Sequence, residues 1–200
     1  ELPEGAVVTL HPGNAARRLV NHQLLRVLAL APRDMREAVF VTPQKIIKLE
    51  YCFNKLNNCS LFANFLKKVS HYVGSLGAVV LDNLGLRCWY PEEWLEVIDK
   101  GPFELKNHLT IHTVPESGAR HFWIHTHGMS QFACPDLEVR MVSEAGKEPT
   151  LRLISRLIRY QIKNGPVFRE GCRIAISRRS CWITFKHYRE LSGDSHYLNN

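Results

Sequence analysis

With 200 residues, 45% of them hydrophobic and 22% charged, the chain is long enough to bury the core of one domain. No apolar run approaches the length of a membrane span and no signal peptide is visible, so the sequence predicts a cytoplasmic protein. The net charge of +7 arises entirely in residues 147–200, which carry 11 basic and 4 acidic side chains. This uneven distribution indicates an anionic partner.

The first half of the chain predicts short strands interrupted by helices. Four runs rich in β-branched and aromatic residues predict strands, at residues 5–10, 39–41, 46–53 and 78–81. Asn14 is a suitable N-cap for a helix that reaches about Gln23, and Ser60 for a second helix that Gly74 ends. Pro91 and the two glutamates after it predict a short helix that ends near Ile98.

The second half has a clearer pattern. Residues 109–114 and 121–127 predict two strands joined by a hairpin loop, and residues 137–142 predict a third strand. The apolar spacing of residues 150–163 predicts a helix that Gly165 and Pro166 end. A final strand pair is predicted at residues 172–176 and 182–185.

Runs of strands with occasional helices predict an α+β fold, in which helices pack on an antiparallel or mixed sheet. We expect one such domain over residues 1–200, of which residues 101–200 are the more clearly defined half. The chain begins at Glu1, which leaves open that it is a fragment of a longer protein. Its six cysteines form no CxxC pair, and we expect them to be free thiols.

Three stretches carry a resemblance to a known family. One is Thr126–Met129 running into Phe132 and residues 135–138. Another is residues 160–167 leading to Glu170 and Gly171, and the third is the helix, strand and short helix within residues 62–95. Over about residues 60–186 the chain resembles the uncharacterised bacterial family called domain of unknown function 4261. The resemblance implies an α+β fold and assigns no activity.

His125 and His127 end the predicted strand 121–127 two residues apart, so both side chains point to the same face. If Val114 pairs with His121 across the loop, Thr110 lies opposite His125 and His108 opposite His127. In that register five histidines share one face, namely His108, His112, His121, His125 and His127. A slip of one residue would move the histidines of the first strand to the other face.

Neutral imidazoles are common ligands of transition metals. We therefore predict a site for a divalent transition metal at His125 and His127, with His112 and Asp136 as further ligands; no other cofactor is expected. The alternative is a polar strand face of partly exposed histidines.

Whether the protein is an enzyme stays open. A histidine pair followed by Asp136 is similar to the JAMM-type zinc hydrolases, although Gly128 stands where a proline is usual. A histidine pair with Tyr160 and Lys163 on a later helix is similar to the HUH nucleases, although Thr126 stands where a bulky apolar residue is usual.

The predicted helix 150–163 carries a basic stripe opposite its apolar face, and further cations follow it. The candidate anion-binding residues are Arg152, Arg156, Arg159, Lys163, Arg178 and Arg179. Cations at this spacing can neutralise successive phosphates; a simply solvated helix face is the alternative.

We predict a binding or interaction domain whose partner is a nucleic acid or an acidic protein. The competing prediction is a metal-dependent hydrolase or nuclease that uses the histidine pair.

Overall fold

The computed structural model describes residues 6–12, 22–41, 45–51, 59–116, 120–166, 168, 173–175 and 182–184. Within these residues the chain forms five α-helices and four antiparallel sheets, which confirms the expected α+β fold class. None of the helices in this described part combines the length and apolar composition that crossing a bilayer requires.

In chain order the elements are β1 (Ala6–Pro12), α1 (His22–Leu30), α2 (Arg33–Val41), β2 (Lys45–Tyr51), α3 (Cys59–Leu76), β3 (Val80–Asp82), β4 (Arg87–Trp89), α4 (Pro91–Trp94), β5 (Thr110–Pro115), β6 (His121–His127), β7 (Glu138–Ser143), α5 (Glu144–Asn164), β8 (Arg173–Ala175) and β9 (Trp182–Thr184). A π-helical turn at Leu95–Asp99 continues α4, and 3-10 turns occupy Leu105–Asn107 and Met129–Phe132.

Two expectations about the helices are corrected. The strand expected at residues 39–41 is wrong, because these residues complete α2, whose Asp34 lies in its first turn, where a negative charge favours the helix. Three β-prone residues do not outweigh a helix that has already begun upstream. The helix expected from Asn14 to Gln23 lies mostly outside the described residues, and α1 begins at His22.

Helix α5 begins six residues before the expected start. Ser143 caps it by accepting a hydrogen bond from the backbone N–H of Gly146, with an oxygen-to-nitrogen distance of 3.2 Å. Pro149 therefore lies inside the helix, where its missing N–H removes one hydrogen bond near the N-terminus without ending the helix.

The sheet β5-β6-β7 has β6 at its centre. Ile124 of β6 is fully buried, and Val142 of β7 and Ile154 of α5 belong to the same apolar cluster. Helix α3 contributes a further row of buried residues to this cluster, namely Phe62, Leu66, Val69 and Val73. The core therefore covers the face of β6 that carries Ile124.

Strand β7 contains a bulge beside the middle of β6. Phe122 pairs with Val142, but Ile124 pairs with Val139, so β7 holds one extra residue between these pairs. Met141, within this interval, has a left-handed backbone with φ of 56°. The side chain of Glu116 secures the bulge by accepting hydrogen bonds from the N–H of Met141, at 2.7 Å, and from Arg140, at 2.9 Å.

The β3-β4 hairpin joins the N-terminal helices to the central sheet. Cys88 donates a hydrogen bond to the carbonyl of Val27 in α1, with a sulfur-to-oxygen distance of 3.6 Å. Thr110 of β5 donates to the carbonyl of Gly85 at 2.6 Å.

Gly128, at the end of β6, has φ of 102°, and a Cβ there would lie 2.6 Å from the carbonyl oxygen of His108. Only glycine fits this turn.

Three of the six cysteines lie among the described residues, and these three are free thiols, as expected: Cys59, Cys88 and Cys134. Burial raises the pKa of Cys88 to about 11, so this thiol is protonated at neutral pH.

Candidate functional site

The β5-β6 hairpin brings three histidines into mutual contact. His112 lies directly opposite His125, and His127 follows two residues later on the same face of β6. The ring centroids are 5.3 Å apart for His112 and His125, 4.9 Å for His125 and His127, and 5.1 Å for His112 and His127. We call these three side chains the histidine trio.

The strand register differs from the expected one by two residues. Val114 pairs with Trp123 instead of His121, which places His112 opposite His125. A shift of two residues leaves every side chain on its expected face, whereas a shift of one would have separated the histidines. Both strands therefore place their histidines on one face of the sheet, although the cross-strand pairs are not the expected ones.

The trio is largely withdrawn from solvent. His125 is 7% exposed and His127 is 8% exposed, and the indole of Trp123 stacks on the ring of His125 with a centroid distance of 3.7 Å. The Nε2 atom of His112 is buried and has no hydrogen-bond partner among the described residues. Burial lowers the pKa of His112, which favours the neutral imidazole.

Glu138 supplies a carboxylate beside the trio. It pairs with His125 across β6 and β7, and it accepts a hydrogen bond from the indole N–H of Trp123 at 3.2 Å. Burial raises the pKa of Glu138, while the hydrogen bond from Trp123 and the charge of Arg140 oppose that shift.

Asp136 is engaged on the other side of β6. Its carboxylate accepts hydrogen bonds from the hydroxyl of Thr126, at 2.8 Å, and from the backbone N–H of Met129, at 3.2 Å. Thr126 alternates with His125 and His127, so it faces away from them. Burial raises the pKa of Asp136, and both hydrogen bonds lower it. Asp136 fixes the turn after β6, and the structure does not bring it to the trio.

His108 also lies apart from the trio. The expectation that it would face His127 is wrong, because Thr110 occupies that position. His108 ends a 3-10 turn, and its ring contacts Phe62 and Phe103 at centroid distances of 5.1 and 4.9 Å. Burial, with a smaller effect of the charge of Arg87, lowers the pKa of His108 to about 4.

The nitrogen atoms of the trio do not converge on one point in the present ring orientations. Among the described residues, no group of three or more histidine, cysteine, aspartate or glutamate side chains is arranged to hold a metal ion. The rings of His112 and His125 are nearly parallel, with an interplanar angle of 11°. The backbone thus assembles three imidazoles without aiming them at a common centre.

The basic residues of α5 form one exposed surface. Arg152, Arg156, Arg159 and Lys163 are all exposed and fall within an arc of about 60° at about 100° per residue. We call these four side chains the α5 basic face. Arg178 and Arg179 lie outside the described residues.

Few acidic side chains lie close to the α5 basic face. Arg152 approaches Glu148 at 3.9 Å, and among the described residues no acid pairs with Arg156, Arg159 or Lys163.

The trio and α5 lie on opposite sides of the central sheet. Helix α5 covers the face of Phe122 and Ile124, as shown by the ammonium of Lys147, 4.5 Å from the ring centroid of Phe122. Tyr160 is 53% exposed on the outer surface of α5. The sheet therefore separates Tyr160 from the trio, and the nuclease-like arrangement of a tyrosine beside the histidines is not assembled.

A cavity of about 390 Å³ lies beside His112. Helix α1 contributes Val27 and Leu30 to its wall, and β4 contributes Arg87. The guanidinium of Arg87 donates to the carbonyl of Leu109 at 2.9 Å, so this cation is held between β4 and β5. The cavity gives the histidine side of the sheet an opening to solvent.

Trp123 and Glu138 were not among the residues predicted for the site. The signal for Trp123 was present, since it precedes His125 by two residues and shares its face. Nothing in the sequence indicated Glu138, because its position beside His125 depends on the bulge in β7.

The fold and the pairing define an α+β domain built on a three-stranded antiparallel sheet. Residues 111–190 match the model of a family described as "Protein of unknown function (DUF4026) C-terminal". The chain is therefore similar to a domain of unknown function over the part that contains the trio and α5, although the matched family is not the one expected from the sequence. No curated protein and no solved structure matches the chain.

Proposed function

We propose that this protein is a binding domain that holds a nucleic acid strand against the α5 basic face. The observation that carries the proposal is a run of three exposed cations, Arg156, Arg159 and Lys163, without an acidic partner among the described residues. Surface cations are usually balanced by nearby acids when their role is only solubility.

The dimensions of the face suit a phosphate backbone. Arg152 and Lys163 are separated by about 16 Å along the helix axis, a length over which one strand of DNA carries about five phosphates. Arginine and lysine side chains are long enough to adapt to either a single strand or a duplex.

Tyr160 favours nucleic acid over an acidic protein as the partner. It is 53% exposed beside the basic face, and its ring lies parallel to that of Phe168 at a centroid distance of 5.8 Å. An exposed aromatic ring next to arginines can stack on a base, whereas the side chains of aspartate and glutamate have no aromatic face.

The test is fluorescence anisotropy with a labelled single-stranded oligonucleotide of mixed sequence, titrated at several salt concentrations. The wild-type protein is expected to bind at low salt. The double variant Arg156→Ala, Arg159→Ala is expected to bind at least about 10-fold more weakly. The slope of log affinity against log salt should fall by about 1.5, since two phosphate contacts are lost.

The matched control is Lys67→Ala, Lys68→Ala, which removes the same charge from exposed positions of α3 and should leave binding nearly unchanged. Equal weakening by the two double variants would show non-specific attraction and contradict the proposal. Binding of polyglutamate without binding of the oligonucleotide would assign the face to an acidic protein and would also overturn it.

A further inference from the structure

We propose that His112, His125 and His127 bind one divalent transition metal ion, for which Zn²⁺ and Co²⁺ are the probes. This site is independent of nucleic acid binding, because it lies on the side of the sheet opposite α5.

The separations of the three rings match those around a tetrahedral ion. A zinc-bound imidazole places its ring centroid about 3.2 Å from the ion, so two such rings at a tetrahedral angle have centroids about 5 Å apart. The observed separations are 5.3, 4.9 and 5.1 Å. Each of the three pairs thus meets the spacing that a shared ion requires.

The backbone already sets these separations. His112 and His125 are a directly opposed pair, and His127 is the next residue on the same face of β6. Hydrogen-bonded strands hold such positions more firmly than a loop does. Metal binding would therefore need no rearrangement of the chain, only of the rings.

Coordination requires the rings to turn towards a common point, and the indole of Trp123, stacked on His125, must shift with that ring. Rotation about the Cβ–Cγ bond of histidine is broad rather than restricted to narrow wells. The buried Nε2 atom of His112, which has no partner among the described residues, gains one when it coordinates an ion. A buried nitrogen without a partner is unfavourable in a folded protein, and coordination removes that penalty.

Three histidine ligands leave a fourth position open. Of the three ligands, His112 is the one that lines the cavity of about 390 Å³, so an ion that enters from this cavity would meet His112 first. The indole of Trp123 stacks on the ring of His125 with a centroid distance of 3.7 Å. The indole is thus close enough to report a bound paramagnetic ion through loss of its fluorescence.

The experiment is a titration of chelator-treated protein that carries no histidine tag with Co²⁺. The expected result is a visible spectrum of four- or five-coordinate Co²⁺ that saturates at one ion per chain and disappears when Zn²⁺ is added. Tryptophan fluorescence should fall in parallel, and a Trp123→Phe variant should lose most of that decrease while retaining the spectrum.

His112→Phe and His125→Phe keep the volume of each ring and remove its nitrogens. Each is expected to weaken Zn²⁺ binding at least about 100-fold. His71→Ala, at an exposed position of α3, and His121→Ala, on the same strand as two members of the trio, are the controls and should bind as the wild type does.

Absence of a saturable Co²⁺ spectrum in the wild type would overturn the proposal, as would unchanged binding in both phenylalanine variants. Should those variants fail to fold, diethyl pyrocarbonate labelling of the wild type decides. Labelling is continued until the trio reacts in the metal-free protein; Zn²⁺ should then protect the peptides that contain the trio and leave His71 reactive, and equal labelling with and without Zn²⁺ would reject the site.

Discussion

The two faces of β6 are both buried, but they are buried in different ways. One face lies against α5 and the apolar core, and the other carries aromatic and imidazole rings. The first consists of Phe122, Ile124 and Thr126, and the second of His121, Trp123, His125 and His127. Almost equal burial thus accompanies two very different chemistries on one strand.

The difference lies in how polar groups are satisfied. On the core face, the hydroxyl of Thr126 donates to Asp136 and accepts from the N–H of Leu137, each at 2.8 Å. On the histidine face, a nitrogen of His112 is buried without a partner among the described residues. Native cores rarely leave such a group unpaired without a reason, so hydrogen bonding separates a structural face from a candidate binding face better than burial does.

The largest effect should come from the core face. Ile124→Ala is expected to lower the free energy of unfolding by roughly 4 kcal/mol, because a fully buried side chain is replaced by a cavity. Urea denaturation measures the loss, and Val114→Ala, at a position 38% exposed, is the control with a small effect. A His125→Phe variant that lost as much stability as Ile124→Ala would contradict the distinction between the faces.

A buried histidine outside the trio should make stability depend on pH. The pKa of His108 falls from 6.5 to about 4 on folding, so its contribution is complete above pH 6.5 and is lost as the pH falls towards 4. The unfolded chain takes up the proton first, and the loss approaches roughly 3 kcal/mol.

Denaturation of His108→Phe at several pH values tests this expectation. The ring would remain against Phe62 and Phe103 while the titrating nitrogens are removed. The difference in pH dependence between wild type and variant isolates His108 from other groups that titrate. Parallel curves between pH 4 and 6.5 would show that His108 is not responsible.

Thr126→Val should cost roughly 2 kcal/mol of unfolding free energy. The exchange keeps the shape of the side chain but leaves Asp136 and the N–H of Leu137 without their shared partner. Thr113→Val, on the paired strand opposite Ile124, is the matched control and should change stability less. Chemical denaturation of the pair of variants gives the comparison directly.

The smallest expected effect concerns Gln161, which lies on the core side of the sheet and is an exception to the rule that buried polar groups are hydrogen-bonded. Gln161 of α5 is fully buried, and neither polar atom of its side chain has a hydrogen-bond partner among the described residues. Gln161→Leu is therefore expected to raise the free energy of unfolding by about 1 kcal/mol. Thermal unfolding measures the gain, and a clear loss would reveal a partner for this amide.

Local pattern predicted several elements well. The alternation of β6 predicted its bounds, and the apolar spacing of α3 and the end of α5 agree with the structure. These are the segments in which one face meets a core, so the sequence period reflects the packing directly. The strand prediction at residues 39–41 failed because the β-branched composition of these residues competes with a helix that begins at Arg33.

The candidate site was predictable only in part. The shared face of His125 and His127 follows from strand alternation, but their partner on β5 depends on how the hairpin closes, and the register was wrong by two residues. The distance of Asp136 from the trio depends on its hydrogen bond to Thr126. Closeness along the chain does not reveal which side of a strand a later carboxylate will reach.

The extra residue in β7 determines which side chains of this strand face the core and which face the histidines. Continuing the pairing of Phe122 with Val142 without an extra residue would place Arg140 against the core and Val139 beside His125. One inserted position instead sends a valine into the apolar interior and a carboxylate to the imidazoles. Deleting Met141 would therefore remove the bulge and leave Val139 opposite Ile124 and Glu138 opposite His125, whereas regular pairing of the undeleted strand would exchange the chemistry of both surfaces of the sheet at once.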